Sequence, residues 1–464
     1  MHRVLTYTVI CVFLFGDLGF SFLQYYSIPL DGDMVGGVLL DEGIEPVLSH
    51  PLGLHAIVEG KAYPNPNRFF SHWLFYQYFQ YAPLALQTFL SPIDSIYAAS
   101  ALIKILTHLL FVAVLAMMVS GRTKISSFNF LLGAVLISPF FQTNGYRSYM
   151  SIIDYAPTYV FFYAIPLLIL ILYFLPLFWR AYHGRELLTN PIQLLIGIPL
   201  ALIASLSGPL NPGIALIIGL LVGCIGGLSY ISEKRLPKNL KGSLPLLILI
   251  GLVSLYSLML ARYNSISLVN EMPLWDLYAK LPQGIFYQFT AKLCFPLIFI
   301  ALIVNVYVLR KHSDNPVGQK ILRWGKWVGL FMLIYLLLLP LGGYRPYRPY
   351  ILRYDTIMPI TLGLVFLFGL STHFILTQLK GQWYTRYAIW TGVFLFIFMW
   401  EDKGRFDQNQ CERKALEAIA QSPATETIVQ LPQECRVLSW EAQKTFDKSS
   451  NAGILLRQWN IIKQ

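Results

Sequence analysis

Long apolar segments follow one another along nearly the whole chain, separated by short polar connections. Segments of about 20 apolar residues can cross the ~30 Å hydrocarbon core of a bilayer as α-helices. The pattern predicts an all-α polytopic membrane protein with about eleven transmembrane helices. We place these spans near residues 5–24, 95–119, 128–142, 157–179, 191–208, 212–231, 243–261, 291–309, 327–341, 356–379 and 387–400.

One further segment, residues 73–90 (WLFYQYFQYAPLALQTFL), is apolar but is not assigned as a span. It carries Gln77 and Gln80 among dense Phe, Tyr and Trp, a composition typical of a helix that lies flat at the membrane surface. We therefore predict an interfacial helix at 73–90 within a first outside loop of residues 25–94.

The basic residues of the connections fix the orientation. With the N-terminus inside, the cytoplasmic connections carry most of the Lys and Arg, as the positive-inside rule requires. No small-residue cleavage site follows the first apolar run, which favours an uncleaved first span over a signal peptide. We expect a multi-pass protein of the cell (inner) membrane, with a cytoplasmic N-terminus and an extracytoplasmic C-terminus. The cytoplasmic clusters are Arg122/Lys124, Arg180/Arg185, Lys234/Arg235/Lys238/Lys241, Arg310/Lys311/Lys320/Arg323/Lys326 and Lys380/Arg386.

Composition excludes several classes of function. The 464 residues are 56% hydrophobic and only 13% charged, whereas a soluble domain carries roughly a quarter charged residues. The net charge of +11 therefore reflects topology and lipid headgroups, and no basic, aromatic-interleaved soluble module supports nucleic-acid binding. No P-loop, Cys/His metal spacing, nucleophile elbow or dinucleotide fingerprint occurs, so soluble-cofactor chemistry is unsupported.

The composition changes after residue 400, which divides the chain into a membrane domain (1–400) and a small extracytoplasmic α+β tail (401–464). In the tail, KALEAIA predicts a short helix, and TIVQL and CRVLSW predict short strands. Cys411 and Cys435 lie there, and in an oxidising compartment we predict a disulfide between them, with two unpaired thiols as the alternative.

The stretch YSIPLDGDMVGG places Asp31 and Asp33 directly after the first span. A hydrated Asp-Gly turn is the simplest interpretation. Two observations favour a functional role: a carboxylate at the end of a span is held at a fixed depth, and the roughly forty-residue loop that follows is long for a compact protein and rich in His, Asn and aromatic residues.

A second feature is GGYRPYRPYILRYD (342–355), an outside segment with Arg345, Arg348 and Arg353 on the side where basic residues are normally sparse. Arg suits bidentate capture of phosphate oxygens, and the interleaved Pro residues stiffen the backbone. Snorkelling toward headgroups explains one Arg easily and three poorly. We therefore predict a site for an anionic ligand.

Weaker candidates lie elsewhere. Asp17 and Lys104 are ionisable residues within predicted spans. They could form an ion pair with each other or have a functional role, and both alternatives remain open. Further pocket candidates in the outside segments are Glu42, His72, Arg147 and Asp154.

This layout resembles the GT-C superfamily of integral-membrane glycosyltransferases, which use polyprenyl-phosphate sugars. The match consists of PLDGDM as the acidic motif after the first span, 73–90 as the surface helix, and 401–464 as the tail. The resemblance implies inverting transfer from a polyprenyl-phosphate-linked sugar to a glycan, lipid or protein acceptor. A carboxylate would act as base, and Arg345, Arg348 and Arg353 would bind the donor phosphate.

The motif leaves two points open. The chain lacks the plain Asp-Glu pair that many GT-C members carry here, so both Asp31 and Asp33 remain candidates for the base. The pair could alternatively hold Mg²⁺ or Mn²⁺, which prefer oxygen ligands.

Other functions compete with this one. A lipid-linked glycan polymerase or ligase would also use outside Arg-rich loops, but would not need an acidic motif directly after the first span. A transporter or flippase would need polar residues and broken helices near the bilayer midplane, where only Asp17 and Lys104 favour it. A structural scaffold leaves the acidic loop and the Arg segment unexplained.

Overall fold

The computed structural model describes residues 2–40, 43–143, 152–234, 242–266, 272–290, 293–312, 315–343 and 350–463. Within these ranges the chain is mostly helical, with one two-stranded sheet near the C-terminus. In chain order the helices are α1 (His2–Tyr26), α2 (Met34–Val38), α3 (Glu45–Ser49), α4 (Leu54–Glu59), α5 (Phe69–Leu86), α6 (Pro92–Ser120), α7 (Phe128–Ile137), α8 (Pro157–His183, with π-helical turns), α9 (Asn190–Ser205), α10 (Asn211–Glu233), α11 (Leu244–Ala261), α12 (Leu274–Thr290), α13 (Cys294–Lys311), α14 (Pro316–Leu338), α15 (Met358–Gln378), α16 (Gly381–Glu401), α17 (Gln410–Gln421) and α18 (Asn451–Gln458).

Eight of these helices, within the described residues, are long and apolar enough to cross a membrane: α1, α6, α8, α10, α11, α13, α14 and α15. A multi-pass membrane protein is therefore supported. Helices also form at the other three predicted spans, but α7 and α9 have 10 and 16 residues and α16 is not apolar enough to be included. The count of eleven stays a prediction.

Helix α6 shows how the sequence sets a span. Ser91 precedes it and its hydroxyl accepts from the Asp94 N–H, Pro92 occupies the first turn, and Gly121 ends it at a φ of 63°. These are the preferred start and stop signals of a helix. The helix contacts α1, α5, α7, α8 and α15, so it lies inside the bundle. Its contact with α5 joins it to the first loop.

Helix α5 covers the predicted interfacial segment and is not among the span-like helices. It packs on α2, α6 and the start of α8. At α2 the approach is close, because a Cβ on Gly37 would lie 2.3 Å from Cε1 of Phe75. The first outside loop is thus a packed layer rather than a free linker.

The tail contains α17, strand β1 (Ile428–Cys435), strand β2 (Gln443–Asp447) and α18, with Val429 opposite Phe446 in the antiparallel pair. The predicted helix at KALEAIA is confirmed, and TIVQL lies mostly in β1. The prediction of a strand over CRVLSW is wrong, since only Cys435 belongs to a strand. Leu438 has a φ of 48°, which no strand accommodates, and its N–H points to Glu412.

The tail and the first outside loop share one hydrophobic cluster, which includes Met34 of α2, Phe79 of α5, Leu416 of α17 and Trp459 after α18. The indole N–H of Trp459 donates to the carbonyl of Phe79 at 2.9 Å. The described tail, residues 401–463, is therefore packed against the membrane domain, on the side where α1 ends.

Candidate functional site

Asp31 is fixed at the start of α8. Its side chain is only 3% exposed. One carboxyl oxygen accepts from the Asp33 N–H (2.9 Å) and the Thr158 hydroxyl (2.8 Å), and the other accepts from the Thr158 N–H (3.0 Å). Thr158 lies in the first turn of α8, whose N–H groups have no partner within the helix. Asp31 therefore ties the turn after α1 to the N-terminal end of α8.

Burial controls the acidity of Asp31. Loss of hydration raises the pKa of this carboxyl to about 6, a change that the Thr158 hydrogen bonds oppose and the charge of Asp33 reinforces. Asp31 is thus easier to protonate than an exposed carboxyl. A buried, fully hydrogen-bonded carboxyl suits a positioning role.

Asp33 lies in a different environment two residues later. Its side chain is exposed, and one carboxyl oxygen accepts a hydrogen bond of 2.9 Å from the indole N–H of Trp440 in the tail. An exposed carboxylate with one hydrogen-bond donor among the described residues keeps lone pairs that a bound molecule can use. Of the two carboxylates, Asp33 is the one that a bound molecule can reach.

Gly32 brings the turn and the tail together. A Cβ at this position would lie 2.6 Å from the backbone nitrogen of Trp440 and 2.9 Å from the carbonyl carbon of Ser439. Real Cβ atoms do not approach backbone this closely. The glycine of the Asp-Gly-Asp motif is therefore required by the docked tail, which the sequence alone did not indicate.

Glu412 of α17 is a site residue that the sequence analysis missed. It is 2% exposed and accepts from the Leu30 N–H (2.9 Å), the Tyr97 hydroxyl (2.7 Å) and the Leu438 N–H (3.4 Å). Burial raises its pKa to about 7, with the nearby Asp31 adding to the shift. The carboxyl thus links the acidic turn, α6 and the tail loop that carries Trp440. The only sequence signal was its place next to Cys411.

Two further residues, Cys411 and Arg413, hold α17 in place. Cys411 and Cys435 form a disulfide with their Cα atoms 5.9 Å apart. Arg413 pairs with Asp94 at the start of α6 (2.6 Å), and its guanidinium lies 4.2 Å from the ring centroid of Tyr97. The helix that carries Glu412 is thus anchored both to the tail sheet and to the membrane domain.

Of the three arginines of the predicted phosphate site, Arg353 lies within the described residues. Arg353 forms an ion pair with Asp355, whose other oxygen accepts from the Thr356 N–H at 2.8 Å. The guanidinium is therefore already engaged with a carboxylate that is only 2% exposed. Arg345 and Arg348 lie outside the described residues, so the three-Arg cluster stays a prediction.

The remaining candidates divide into three groups. Asp154 is buried and its carboxyl accepts from the Ala156 N–H at 2.7 Å, so it lies on the short segment directly before α8, whereas Asp31 binds Thr158 in the first turn of that helix. His72 is buried against Phe162, away from any described hydrogen-bond partner of its ring, and burial lowers its pKa to about 3. Glu42 and Arg147 lie outside the described residues.

The intramembrane residues take separate partners. Lys104 is fully buried and donates to the carbonyl of Tyr155, whereas Asp17 accepts from the hydroxyl of Ser138. Lys104 thus contacts the segment before α8 that carries Asp154. No Asp17–Lys104 ion pair is found among the residues described.

The turn does not suit the alternative that Asp31 and Asp33 hold Mg²⁺ or Mn²⁺. Both oxygens of Asp31 already accept N–H or O–H donors, which a cation would have to displace. Across the described part of the chain, no group of three or more His, Cys, Asp or Glu side chains is arranged to hold a metal ion.

Comparison with known proteins finds no match for this chain among protein-family models, curated proteins or solved structures.

Proposed function

We propose that the chain is a membrane glycosyltransferase that moves a sugar from a polyprenyl-phosphate donor to an acceptor on the extracytoplasmic side. One observation carries the proposal: the two carboxyls at the end of α1 have different environments. Asp31 is buried and hydrogen-bonded to α8, and Asp33 is exposed beside an indole. A buried carboxyl beside an exposed one, both shortly after the first span, suits chemistry on a lipid-borne substrate.

Asp33 would act as the base. It accepts the proton of the acceptor hydroxyl while the acceptor oxygen forms a bond to the anomeric carbon of the donor sugar. The bond from that carbon to the phosphate oxygen breaks on the opposite face, and the polyprenyl phosphate leaves with the electron pair. The product is an inverted glycoside, and no oxidant or further reactant is needed.

The leaving phosphate needs cations. Arg345 and Arg348 are the candidates from sequence for this role, because planar guanidinium groups bind phosphate oxygens in pairs. The ion pair of Arg353 with Asp355 makes Arg353 better suited to shaping the segment than to binding phosphate.

Membrane topology supports an outside site. The tail contacts the loop that follows α1, so the two lie on the same side of the membrane. If α1 crosses the bilayer, the total number of spans must be odd. The eight long apolar helices alone cannot satisfy this condition, whereas eleven spans satisfy it. An outside tail also suits the disulfide, since secreted compartments are oxidising.

The proposal is tested by transfer assays in membranes or nanodiscs with a polyprenyl-phosphate-linked sugar. Asp33→Asn keeps the size of the side chain and removes the base, so transfer should fall at least a hundredfold, on the order of a general-base contribution. Asp31→Asn should reduce transfer less, because the amide oxygen can still accept from Thr158.

Glu426→Gln is the matched control, since it neutralises an exposed tail carboxylate. Its transfer rate should equal that of the wild type. Full activity of both the Asp31 and Asp33 variants at normal protein levels would contradict the proposal and favour a transporter, which would be detected as lipid or sugar movement without a new glycosidic bond.

A further inference from the structure

Trp440 lies at the acidic turn with part of its ring free. The indole N–H donates to Asp33, and Cδ1 lies 2.7 Å from where a Cβ on Gly32 would be. These neighbouring atoms belong to the five-membered ring, so the six-membered ring points away from the turn. The residue is 38% exposed. A large apolar ring surface is thus presented directly beside an exposed carboxylate.

The backbone that presents this ring is held in an uncommon conformation. Leu438, two residues before Trp440, has a φ of 48° although it is a leucine and 3% exposed. Such residues persist only where surrounding contacts determine them, and they concentrate at functional sites. Here the contacts are the Glu412 carboxyl on the Leu438 N–H and the disulfide at Cys435.

We infer that Trp440 is an acceptor-binding residue on which the apolar face of a pyranose ring stacks, with a ring hydroxyl directed to Asp33. A pyranose has a face of C–H groups and an edge of hydroxyls, and an indole with an adjacent carboxylate complements both. The inference rests on the proposed function and narrows its acceptor from glycan, lipid or protein to a molecule that ends in a sugar.

Binding can be measured without turnover by saturation-transfer difference NMR on the full-length protein in nanodiscs. The probes are the methyl pyranosides of glucose, galactose, mannose and N-acetylglucosamine at millimolar concentration. At least one should receive saturation from the wild type. Trp440→Ala should abolish that transfer and Trp440→Phe, which keeps an aromatic face but no N–H, should retain most of it. Trp275→Ala is the control, because Trp275 is also an exposed tryptophan.

Three results would overturn the inference. The first is equal saturation in the wild type and in Trp440→Ala, as expected if the indole only anchors the loop at the membrane interface. The second is absence of saturation for all four probes with the wild type. A third result would equally overturn stacking, namely loss of saturation transfer in both the Trp440→Ala and the Trp440→Phe variants. Thiol alkylation must show that the disulfide is intact in both. Trp440 would then serve only to hold Asp33 by its indole N–H.

Transfer assays separate this inference from the proposed function. In Trp440→Ala, KM for the acceptor should rise at least tenfold while KM for the polyprenyl-phosphate donor stays constant. A higher KM for the donor with an unchanged KM for the acceptor would place the donor sugar on Trp440 and refute the acceptor assignment. Sugar binding that depends on Trp440, without transfer by the wild type, would refute the proposed function and leave the sugar site standing.

Discussion

The Glu412 carboxyl accepts a hydrogen bond of 2.9 Å from the backbone N–H of Leu30, although 382 positions separate the two residues. Leu30 immediately precedes Asp31, and Glu412 immediately follows the disulfide-bonded Cys411. One buried carboxyl thus joins the start of the acidic turn to the tail. The geometry of the turn and the docking of the tail are therefore coupled.

Removal of this carboxyl should loosen the tail. Glu412→Ala leaves the Leu30 N–H, the Tyr97 hydroxyl and the Leu438 N–H buried without an acceptor, and each such group costs about 1–3 kcal/mol. We expect a lower thermal midpoint and faster proteolysis within residues 401–464. Glu417→Ala, an exposed position on the same helix, is the control and should behave as the wild type. Equal protease resistance of the two variants would contradict the role of Glu412.

The buried carboxyls of Asp31 and Glu412 predict that the stability of the fold depends on pH. Burial raises the pKa of Asp31 to about 6 and that of Glu412 to about 7, above their ordinary values of 3.8 and 4.5. The folded state therefore binds more protons than the unfolded state, so these groups contribute stability that is full below about pH 4 and is lost as pH rises through 6 and 7.

Thermal unfolding in nanodiscs across pH 5–8 checks this sign. The wild type should lose stability toward pH 8, and Glu412→Gln, which cannot ionise, should show a flatter profile over the upper half of that range. A wild-type profile that rises with pH would show that hydrogen bonds to the ionised carboxyls outweigh the cost of burying them.

Local sequence patterns predicted the features that depend on local physics. Spans such as α6 follow from the length and apolarity of a segment, and the tail helix from its periodicity. Asp31 and Asp33 were found because carboxylates are scarce in such a chain. These patterns do not depend on which distant segment lies opposite.

The features that the sequence did not predict depend on contacts between the two ends of the chain. Glu412 looks like an ordinary polar position in QCERKALEAIA, and only docking of the tail buries it. CRVLSW has the composition of a strand, but the contact of Leu438 with Glu412 imposes a left-handed backbone instead. Gly32 belongs to the Asp-Gly turn that the sequence indicates, but only the docked tail shows that its lack of a Cβ lets Trp440 approach.

Gly32→Ala tests that approach. The new Cβ would overlap the backbone of Ser439 and Trp440, and such overpacking typically costs about 1–3 kcal/mol. We expect transfer activity to fall about tenfold or more while the amount of folded protein in the membrane is unchanged. Gly36→Ala is the matched control, because a Cβ there meets no atom within 4 Å. Equal activity of the two variants would show that the tail can retreat from the turn without consequence.

The topology makes an independent prediction. A reporter fused after Gln464 should be active on the extracytoplasmic side, and Cys411 and Cys435 should react with a membrane-impermeant maleimide only after reduction. Cys224, exposed on α10 within a span, serves as the internal comparison because reductant should not change its reactivity. A cytoplasmic signal from the reporter would refute the outside position of the tail and, with it, of the acidic turn that the tail contacts.

The arginine segment gives the final prediction, which separates phosphate capture from structural pairing. Phosphate binding uses the planar fork of Arg, so Arg345→Lys or Arg348→Lys should be nearly as damaging as the Ala variant at the same position. A charge-assisted contact contributes roughly 1.5–3 kcal/mol, or about tenfold to a hundredfold in donor KM. Arg353 differs because it pairs with Asp355, a contact that a single Lys ammonium can replace. Arg353→Lys should therefore retain activity, whereas Arg353→Ala leaves the buried Asp355 without its cation and should lower stability. Free substitution by Lys at Arg345 and Arg348 would assign those two residues to headgroup contact and remove the phosphate site from this segment.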